Sequence, residues 1–180
     1  MRRRPFIVAS LLALGALSGV LAYQGEQAGS VDAHWQEIAW PYPRDGWPAG
    51  RAFRCVSCGG DVELYVRPKI GFCNCDTGVA DDDEVDRVAD LDLISERFAP
   101  RASGRVIHVA DMSGRARAYD LWIADGVHHT AVGIALSHRC DLLVAVAQGH
   151  GEARALETAA LTYLASAGMH RWMMAALGAQ

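Results

Sequence analysis

The alternation of apolar and polar residues predicts a β-strand at 62–66 (VELYV). Four further stretches have strand character: 105–112, 116–124, 128–136 and 140–147. Short polar or glycine-containing breaks separate them at 113–114, 125–126 and 137–139. Such breaks are too short for a parallel crossover, which needs about a dozen residues, so the pattern predicts an antiparallel meander.

The stretch 140–147 (CDLLVAVA) is apolar at nearly every position. A strand with two apolar faces is covered on both sides, so this one is predicted to lie in the middle of the sheet.

An apolar face at helical spacing follows, formed by Ala153, Leu156, Ala160, Tyr163, Leu164 and Ala167. It predicts an amphipathic helix that starts at Glu152 and ends at Gly168, with a second short helix over 169–177. A helix is also predicted over 81–94, where an acidic start suits the helix dipole.

These elements define an α+β fold. We expect an antiparallel β-sheet, a meander of three to five strands, with the C-terminal helices packed on it. A cysteine hairpin stapled by disulfides or by a metal is expected beside the sheet.

The N-terminal segment 1–22 differs from the rest of the chain. Three arginines precede a charge-free run over 6–22, which is typical of a signal peptide or an N-terminal membrane anchor. Arg3 and Arg4, followed by Pro-Phe-Ile, also partly match a twin-arginine export signal. Residues 23–34 are predicted to be a linker, and 35–180 a single domain in the periplasm or anchored to the inner membrane, outside the cytoplasm.

Composition narrows the function classes. A hydrophobic fraction of 51% excludes intrinsic disorder, and a net charge of −4 argues against a nucleic-acid-binding protein. Contact with the membrane is expected only through 6–22, if this segment is not cleaved.

The cysteines carry the first candidate chemistry. Cys55, Cys58, Cys73 and Cys75 form a C-x2-C-x14-C-x-C pattern. An exported protein meets an oxidising compartment, so bridges between the 55/58 pair and the 73/75 pair are expected. Cys140 shares a strand face with apolar residues and is predicted to be a buried free thiol, or to tie the hairpin to the sheet by a further bridge.

Two other chemistries remain open for the same cysteines. Four thiolates could bind zinc, although zinc ribbons usually repeat C-x2-C, and the C-x-C pair also suits Cu(I). Thiol-redox exchange is a third interpretation. The expected cofactor is none, with zinc or copper as the alternative.

The segment 35–48 (WQEIAWPYPRDGWP) is rich in tryptophan and proline and excludes a regular helix. Either it straps the domain, or Trp40, Tyr42 and Trp47 form a docking surface for another envelope protein, because tryptophan and tyrosine are common in binding hot spots.

Acidic residues cluster after Cys75: Asp76, Asp81, Asp82, Asp83, Glu84 and Asp86. Their spacing does not match an EF-hand, and a solvated helix start is expected. Gly149-His150-Gly151 precedes a helix and is interpreted either as a permissive turn or as an anion site. No standard catalytic motif is present, so no catalytic residue is proposed.

The cysteine block with RPKIGFCNC at 67–75, followed by acidic positions from Asp81, resembles a family of uncharacterised exported bacterial proteins. That resemblance implies location and no activity. We therefore expect an exported, disulfide-stabilised accessory or binding domain, with metal-binding or thiol-redox function as alternatives.

Overall fold

The computed structural model describes residues 34–43, 45–71, 74–123 and 126–178. The predicted export segment and nearly all of the predicted linker lie outside these ranges. The described residues form one antiparallel sheet of eight strands. The strands are β1 (Trp35–Ile38), β2 (Arg51–Cys55), β3 (Val62–Lys69), β4 (Phe98–Pro100), β5 (Arg105–Val109), β6 (Met112–Trp122), β7 (His128–His138) and β8 (Asp141–Gly149).

Four helices accompany the described part of the sheet: α1 (Asp82–Val88), α2 (Leu91–Ile94), α3 (Ala153–Leu164) and α4 (Ala167–Gly178). The C-terminal helices α3 and α4 pack on one face, and α1 and α2 pack on the other. The predicted α+β class, with C-terminal helices on an antiparallel sheet, is confirmed.

The strand order is β1-β2-β3-β8-β7-β6-β4, and β5 also pairs with β6. Strands β5 to β8 form the predicted meander, and β1 to β3 form a second one. The two meanders join where β3 pairs with β8. The sheet is larger than the predicted three to five strands because β1, β2 and β4 are too short to show a clear alternation.

Strand β8 lies in the middle of the sheet, as its two apolar faces predict. Leu143 and Ala145 pack beneath α3 and α4, whereas Leu142 and Val144 pack beneath α1 and α2. Fully burying a leucine or valine side chain contributes roughly 1.5–3 kcal/mol to folding. This strand therefore supplies much of the stability of the core.

The predicted break at 113–114 is wrong. The β5–β6 turn falls at Ala110 and Asp111, with Ala110 in the left-handed region at φ 52°. Gly114 lies inside β6, where an added Cβ would sit 1.9 Å from the carbonyl oxygen of Ala135. Glycine is present here because the backbone of β7 comes very close, which a sequence pattern cannot distinguish from a turn.

Two helix boundaries also differ from prediction. The helix expected over 81–94 divides at Ala89, which is extended (φ −68°, ψ 132°). Asp90, between α1 and α2, turns its carboxylate toward the sheet. Helix α3 ends at Leu164 rather than at Gly168, which lies in the first turn of α4.

Candidate ligand-binding site

Polar side chains cross three neighbouring strands near one end of the sheet. Arg54 in β2 is opposite Glu63 in β3, and Glu63 is opposite Gln148 in β8. Residues paired across strands project from the same face, and so does Tyr65, two positions after Glu63. The register therefore brings four polar side chains together on the face that carries α1 and α2.

Glu63 is the centre of this group. Its Oε1 accepts hydrogen bonds from Arg54 Nε (3.1 Å) and Nη2 (2.5 Å). Its Oε2 accepts from the Tyr65 hydroxyl (2.5 Å) and from Gln148 Nε2 (3.1 Å). A carboxylate offers about four acceptor positions, so Glu63 is saturated. Burial raises the pKa of Glu63, but these hydrogen bonds outweigh it and the net pKa is lowered.

Tyr65 extends the network toward the segment 35–48. Burial, reinforced by the hydrogen bond to Glu63, raises the pKa of Tyr65 to about 12, so its hydroxyl stays protonated and donates. Burial also raises the pKa of Tyr42, whose ring makes an edge contact with that of Tyr65, with 4.9 Å between the ring centroids. These contacts thus connect the segment 35–48 to the polar side chains at the end of the sheet.

Gln148 has a fixed orientation. The residue is 8% exposed, and its Nε2 donates to Glu63 and to the Tyr65 hydroxyl (3.4 Å). A carboxylate only accepts hydrogen bonds, so the amide nitrogen must face Glu63. Gln148 Oε1 therefore points away from Glu63, and it has no hydrogen-bond partner in the described part of the chain. Such an unsatisfied buried group costs about 1–3 kcal/mol.

Two histidines lie beside Gln148. The β7–β8 pairing ends at Thr130 and Gly149. His129 and His150 are the next residues beyond this pair, one on each strand's side, and their ring centroids are 4.3 Å apart. His129 Nδ1 is buried and, among the described residues, has no partner. Gln148 and His129 therefore each carry a buried polar atom without a partner among the described residues.

A cavity of about 380 Å³ opens here, which we call the hairpin cavity. Its lining residues are Arg54, Val56, Asp61, Glu63, His129, Gln148, Gly149 and His150. The backbone at Asp61 lies close to Gly149, where an added Cβ would sit 2.3 Å from the Asp61 carbonyl oxygen. Only glycine leaves room for this approach. The volume falls in the range of small-molecule sites, roughly 300–1,000 Å³.

The cysteine pairs differ from the expected connections. Cys55 is bonded to Cys58, at the end of β2, rather than to the 73/75 pair. This bridge closes the turn between β2 and β3, and the turn residues Val56 and Asp61 form one wall of the hairpin cavity.

The second bridge joins Cys75 to Cys140. The expectation of a buried free thiol at Cys140 is wrong, because Cys140 is exposed in the β7–β8 turn and is oxidised. The other expectation for this residue, a bridge that ties the cysteine block to the sheet, matches the observed bond. Cys73 lies outside the described residues.

The aromatic segment packs over β3. Trp40, Tyr42 and Trp47 are all half-buried. Trp40 makes an edge contact with Tyr65 at 6.1 Å. Gly50 permits this packing, since a Cβ there would lie 2.6 Å from the Trp40 ring. The contacts are those of a strap, and we use that name for residues 40–50.

Buried charges hold the strap in place. Arg67, 2% exposed, makes two hydrogen bonds to Asp45 in the strap (2.8 and 2.7 Å) and two to Asp90 (2.5 and 2.7 Å). Lys69 Nζ lies 2.8 Å from Asp90. Burial alone lowers the pKa of Arg67, but the bonds to both carboxylates raise it overall. This ion cluster links the strap, β3 and the break between α1 and α2.

The acidic cluster is dispersed in the structure. Asp81 caps α1 by accepting from the backbone N–H of Glu84 (2.9 Å). Asp82 accepts from Arg115 (2.6 Å), and Asp86 accepts from Arg117 (2.7 Å). Asp76 and Asp83 are exposed. Most of these carboxylates therefore hold α1 against β6 or begin the helix.

Sequence reasoning missed Arg54, Glu63, Tyr65 and Gln148. A usable signal was present, because Glu63 and Gln148 are polar positions within or directly after apolar strand sequences. Their meeting depends on β3 pairing with β8 over 85 residues of chain, which no local pattern specifies.

The described residues contain neither a metal-binding cluster nor a helix that could span a membrane. Within the described ranges, no three side chains among His, Cys, Asp and Glu converge to hold a metal ion. No helix of this part of the chain is long and apolar enough to cross a membrane.

Comparison with known proteins leaves the function open. No family model matches the chain, and neither does any curated protein. Among solved structures, the chain is similar to PA94, a Pseudomonas aeruginosa protein of unknown function, with a TM-score of 0.39 and 12% identity. The alignment covers 79% of this chain and 93% of that one. A similarity at this level supports no inference about activity, so the site must be interpreted from its geometry.

Proposed function

We propose that this protein is an exported, disulfide-stabilised binding domain that takes a small polar ligand in the hairpin cavity. The observation that carries the proposal is Gln148, whose buried Oε1 has no partner among the described residues and whose side chain lines the cavity. Buried polar groups are normally satisfied, so a persistent exception beside a cavity indicates a place for a ligand atom.

Binding is favoured over catalysis by the state of Glu63. Its four acceptor positions are occupied by Arg54, Tyr65 and Gln148, so it has no free position from which to take a proton from a substrate. Its role is to orient Gln148. The hairpin cavity therefore presents fixed hydrogen-bonding groups.

Export is supported by the two disulfides and by the predicted segment 1–22. Disulfides persist in oxidising compartments and are rare in the bacterial cytosol. The proposed location is the periplasm, free or anchored to the inner membrane.

Thiol-redox work is a second candidate, because the two cysteines of C-x2-C are bonded to each other. Cys55 is buried and Cys58 half-buried, so a dithiol reductant would attack Cys58 and release Cys55 as a thiolate. The second thiol of the reductant would then displace Cys58, leaving both cysteines reduced and the reductant oxidised. Zinc or copper binding by Cys55, Cys58, Cys73 and Cys75 would require both disulfides to be reduced.

One experiment separates these functions. The protein is recovered from fractionated cells and analysed, unreduced, by intact mass, thiol alkylation and metal analysis. We expect envelope localisation, two bridges, one thiol and no stoichiometric metal. Cytoplasmic protein with five thiols contradicts the proposal, four thiolates with one bound metal support the metal alternative, and rapid cycling of Cys55–Cys58 with a mild dithiol supports the redox alternative.

Binding is tested by nitrogen-15 NMR of the oxidised protein against a library of small polar compounds. We expect some compounds to shift the side-chain amide signals of Gln148. The backbone amide signals of the lining residues Gly149 and His150 should shift as well, and in the variant Gln148→Met they should no longer respond. Gln36→Met is the matched control, because Gln36 is exposed, pairs with Arg54 across β1 and β2, and does not line the cavity. A library that moves no signal of the cavity residues would contradict the proposed site.

A further inference from the structure

We infer that the hairpin cavity recognises an amide group, with an N–H donor and a C=O acceptor side by side as in a carboxamide or a peptide bond. This inference rests on the proposed binding function and specifies the class of ligand. It follows from the two unsatisfied atoms, from their placement in the sheet and from the charges of the lining.

Gln148 Oε1 requires a donor. The network around Glu63 fixes Nε2 toward the carboxylate, so the amide cannot rotate to offer N–H to a ligand without placing its own carbonyl against Glu63. Any ligand that satisfies Gln148 must therefore carry an N–H or O–H group.

His129 supplies the complementary position. Gln148 is opposite Ala131 in the β7–β8 register, so His129, two residues before Ala131, is its diagonal neighbour on the same face. An imidazole Nδ1 that carries the proton donates to an acceptor. A donor and an acceptor on adjacent ligand atoms would satisfy both Gln148 Oε1 and His129 Nδ1, and an amide has this arrangement.

The charges of the lining disfavour an anion. Arg54 is neutralised by its pair with Glu63, and the remaining carboxylate of the lining, Asp61, is exposed. A carboxylate or phosphate ligand would meet Asp61 and the acceptor Gln148 Oε1, and it has no donor for either. An uncharged amide meets no such repulsion.

The test compares three small probes that share a propionyl group, on the oxidised protein: propionamide, N,N-dimethylpropionamide and propionate. Side-chain signals of Gln148, His129 and His150 are followed by NMR titration. We expect propionamide to bind at least about tenfold more tightly than the dimethylated probe, since the dimethylated probe leaves the buried Gln148 Oε1 without a donor. Propionate should bind more weakly still.

Two variants complete the test. Gln148→Met should weaken propionamide binding about tenfold or more, whereas Gln36→Met should leave it unchanged. His129→Phe keeps an aromatic ring but removes Nδ1, and it should also weaken binding, which provides a second readout if Gln148→Met does not fold.

The outcomes are distinct. Equal affinity for propionamide and its dimethylated analogue, or a preference for propionate, would overturn the amide class while leaving a polar ligand site. Failure of the amide probes and of the wider library alike would overturn the proposed function itself.

Discussion

At the scale of single residues, the buried charges of β3 are the feature most unlike an ordinary sheet. Arg67 and Lys69 are 2% and 6% exposed in the same strand. Desolvating a charge is expensive unless partners surround it, and Asp45 and Asp90 are those partners. The stability of the strap therefore depends on every member of the cluster.

Removing Arg67 should be costly. We expect Arg67→Met to lower the free energy of unfolding by roughly 3–5 kcal/mol, because Asp90 loses two hydrogen bonds in a buried site. Urea unfolding measures the change. Arg87→Met is the control, since Arg87 makes an exposed pair with Glu84 and should change stability by less than about 1 kcal/mol. Similar losses in both variants would contradict a special role for the cluster.

Asp45 should make the protein sensitive to acid. Hydrogen bonds from Arg67 lower the pKa of Asp45 to about 2, below its value of about 3.9 in an unfolded chain. A lowered folded-state pKa stabilises the protein above pH 4, and this contribution is lost as the pH falls toward 2. In urea unfolding at pH 7, 4, 3 and 2, the stability difference between wild type and Asp45→Asn should shrink over this window. A constant difference would refute the linkage.

The sequence reveals single residues better than their partners. Polar positions at Glu63, Arg67 and Gln148 interrupt apolar strand patterns and can be noticed without a structure. Their pairing cannot, because Arg67 meets Asp90 across 23 residues and Gln148 meets Glu63 across 85. The candidate site was missed for this reason, although the strands that carry it were largely predicted.

At the scale of elements, the meander β5 to β8 and the two C-terminal helices follow from apolar periodicity alone. The predicted boundaries of these elements are wrong where a tertiary contact overrides the local preference of the sequence. Gly114 suggests a turn in the sequence, but in the structure it leaves room for the backbone of β7. Asp90 interrupts a helical pattern, and its carboxylate pairs with Arg67 of β3. The short edge strands β1 and β4 hold too few residues to establish a period.

Gly114 gives the sharpest test of an element. Gly114→Ala should lower the free energy of unfolding by about 3 kcal/mol or more, since the new Cβ would meet the Ala135 carbonyl at 1.9 Å and neither strand can move alone. Thermal and urea unfolding check it. Gly178→Ala, with nothing within 4 Å of its Cβ, should change stability by less than about 1 kcal/mol. A mild effect at Gly114 would show that β6 and β7 separate easily.

At the scale of the whole molecule, the sheet joins parts of the chain that are far apart in sequence. The pairing of β3 with β8 closes one long connection, and the Cys75–Cys140 bridge closes another of 65 residues. The fold class was predictable because it depends on which elements exist. The order of strands and the cysteine connections were not, since five cysteines allow many pairings.

The two disulfides should contribute unequally to the free energy of unfolding. Loop-closure entropy assigns about 4 kcal/mol to a bridge over 65 residues and about 2 kcal/mol to one over 3. We therefore expect Cys75→Ala/Cys140→Ala to destabilise the protein more than Cys55→Ala/Cys58→Ala. Urea unfolding without reductant measures both. The reverse order would mean that packing of the buried Cys55, rather than chain entropy, dominates.

In the proposed export, the spacing of the bridges also determines the order in which the two disulfides can form. A chain that emerges N-terminus first can close Cys55–Cys58 almost at once, whereas Cys75 must wait for 65 more residues before Cys140 appears. During that interval Cys73, two residues before Cys75, is already present as a thiol that competes with Cys140 for Cys75. Correct pairing therefore calls for delayed oxidation or for a disulfide isomerase, and the yield of native protein becomes a question of kinetics as much as of stability.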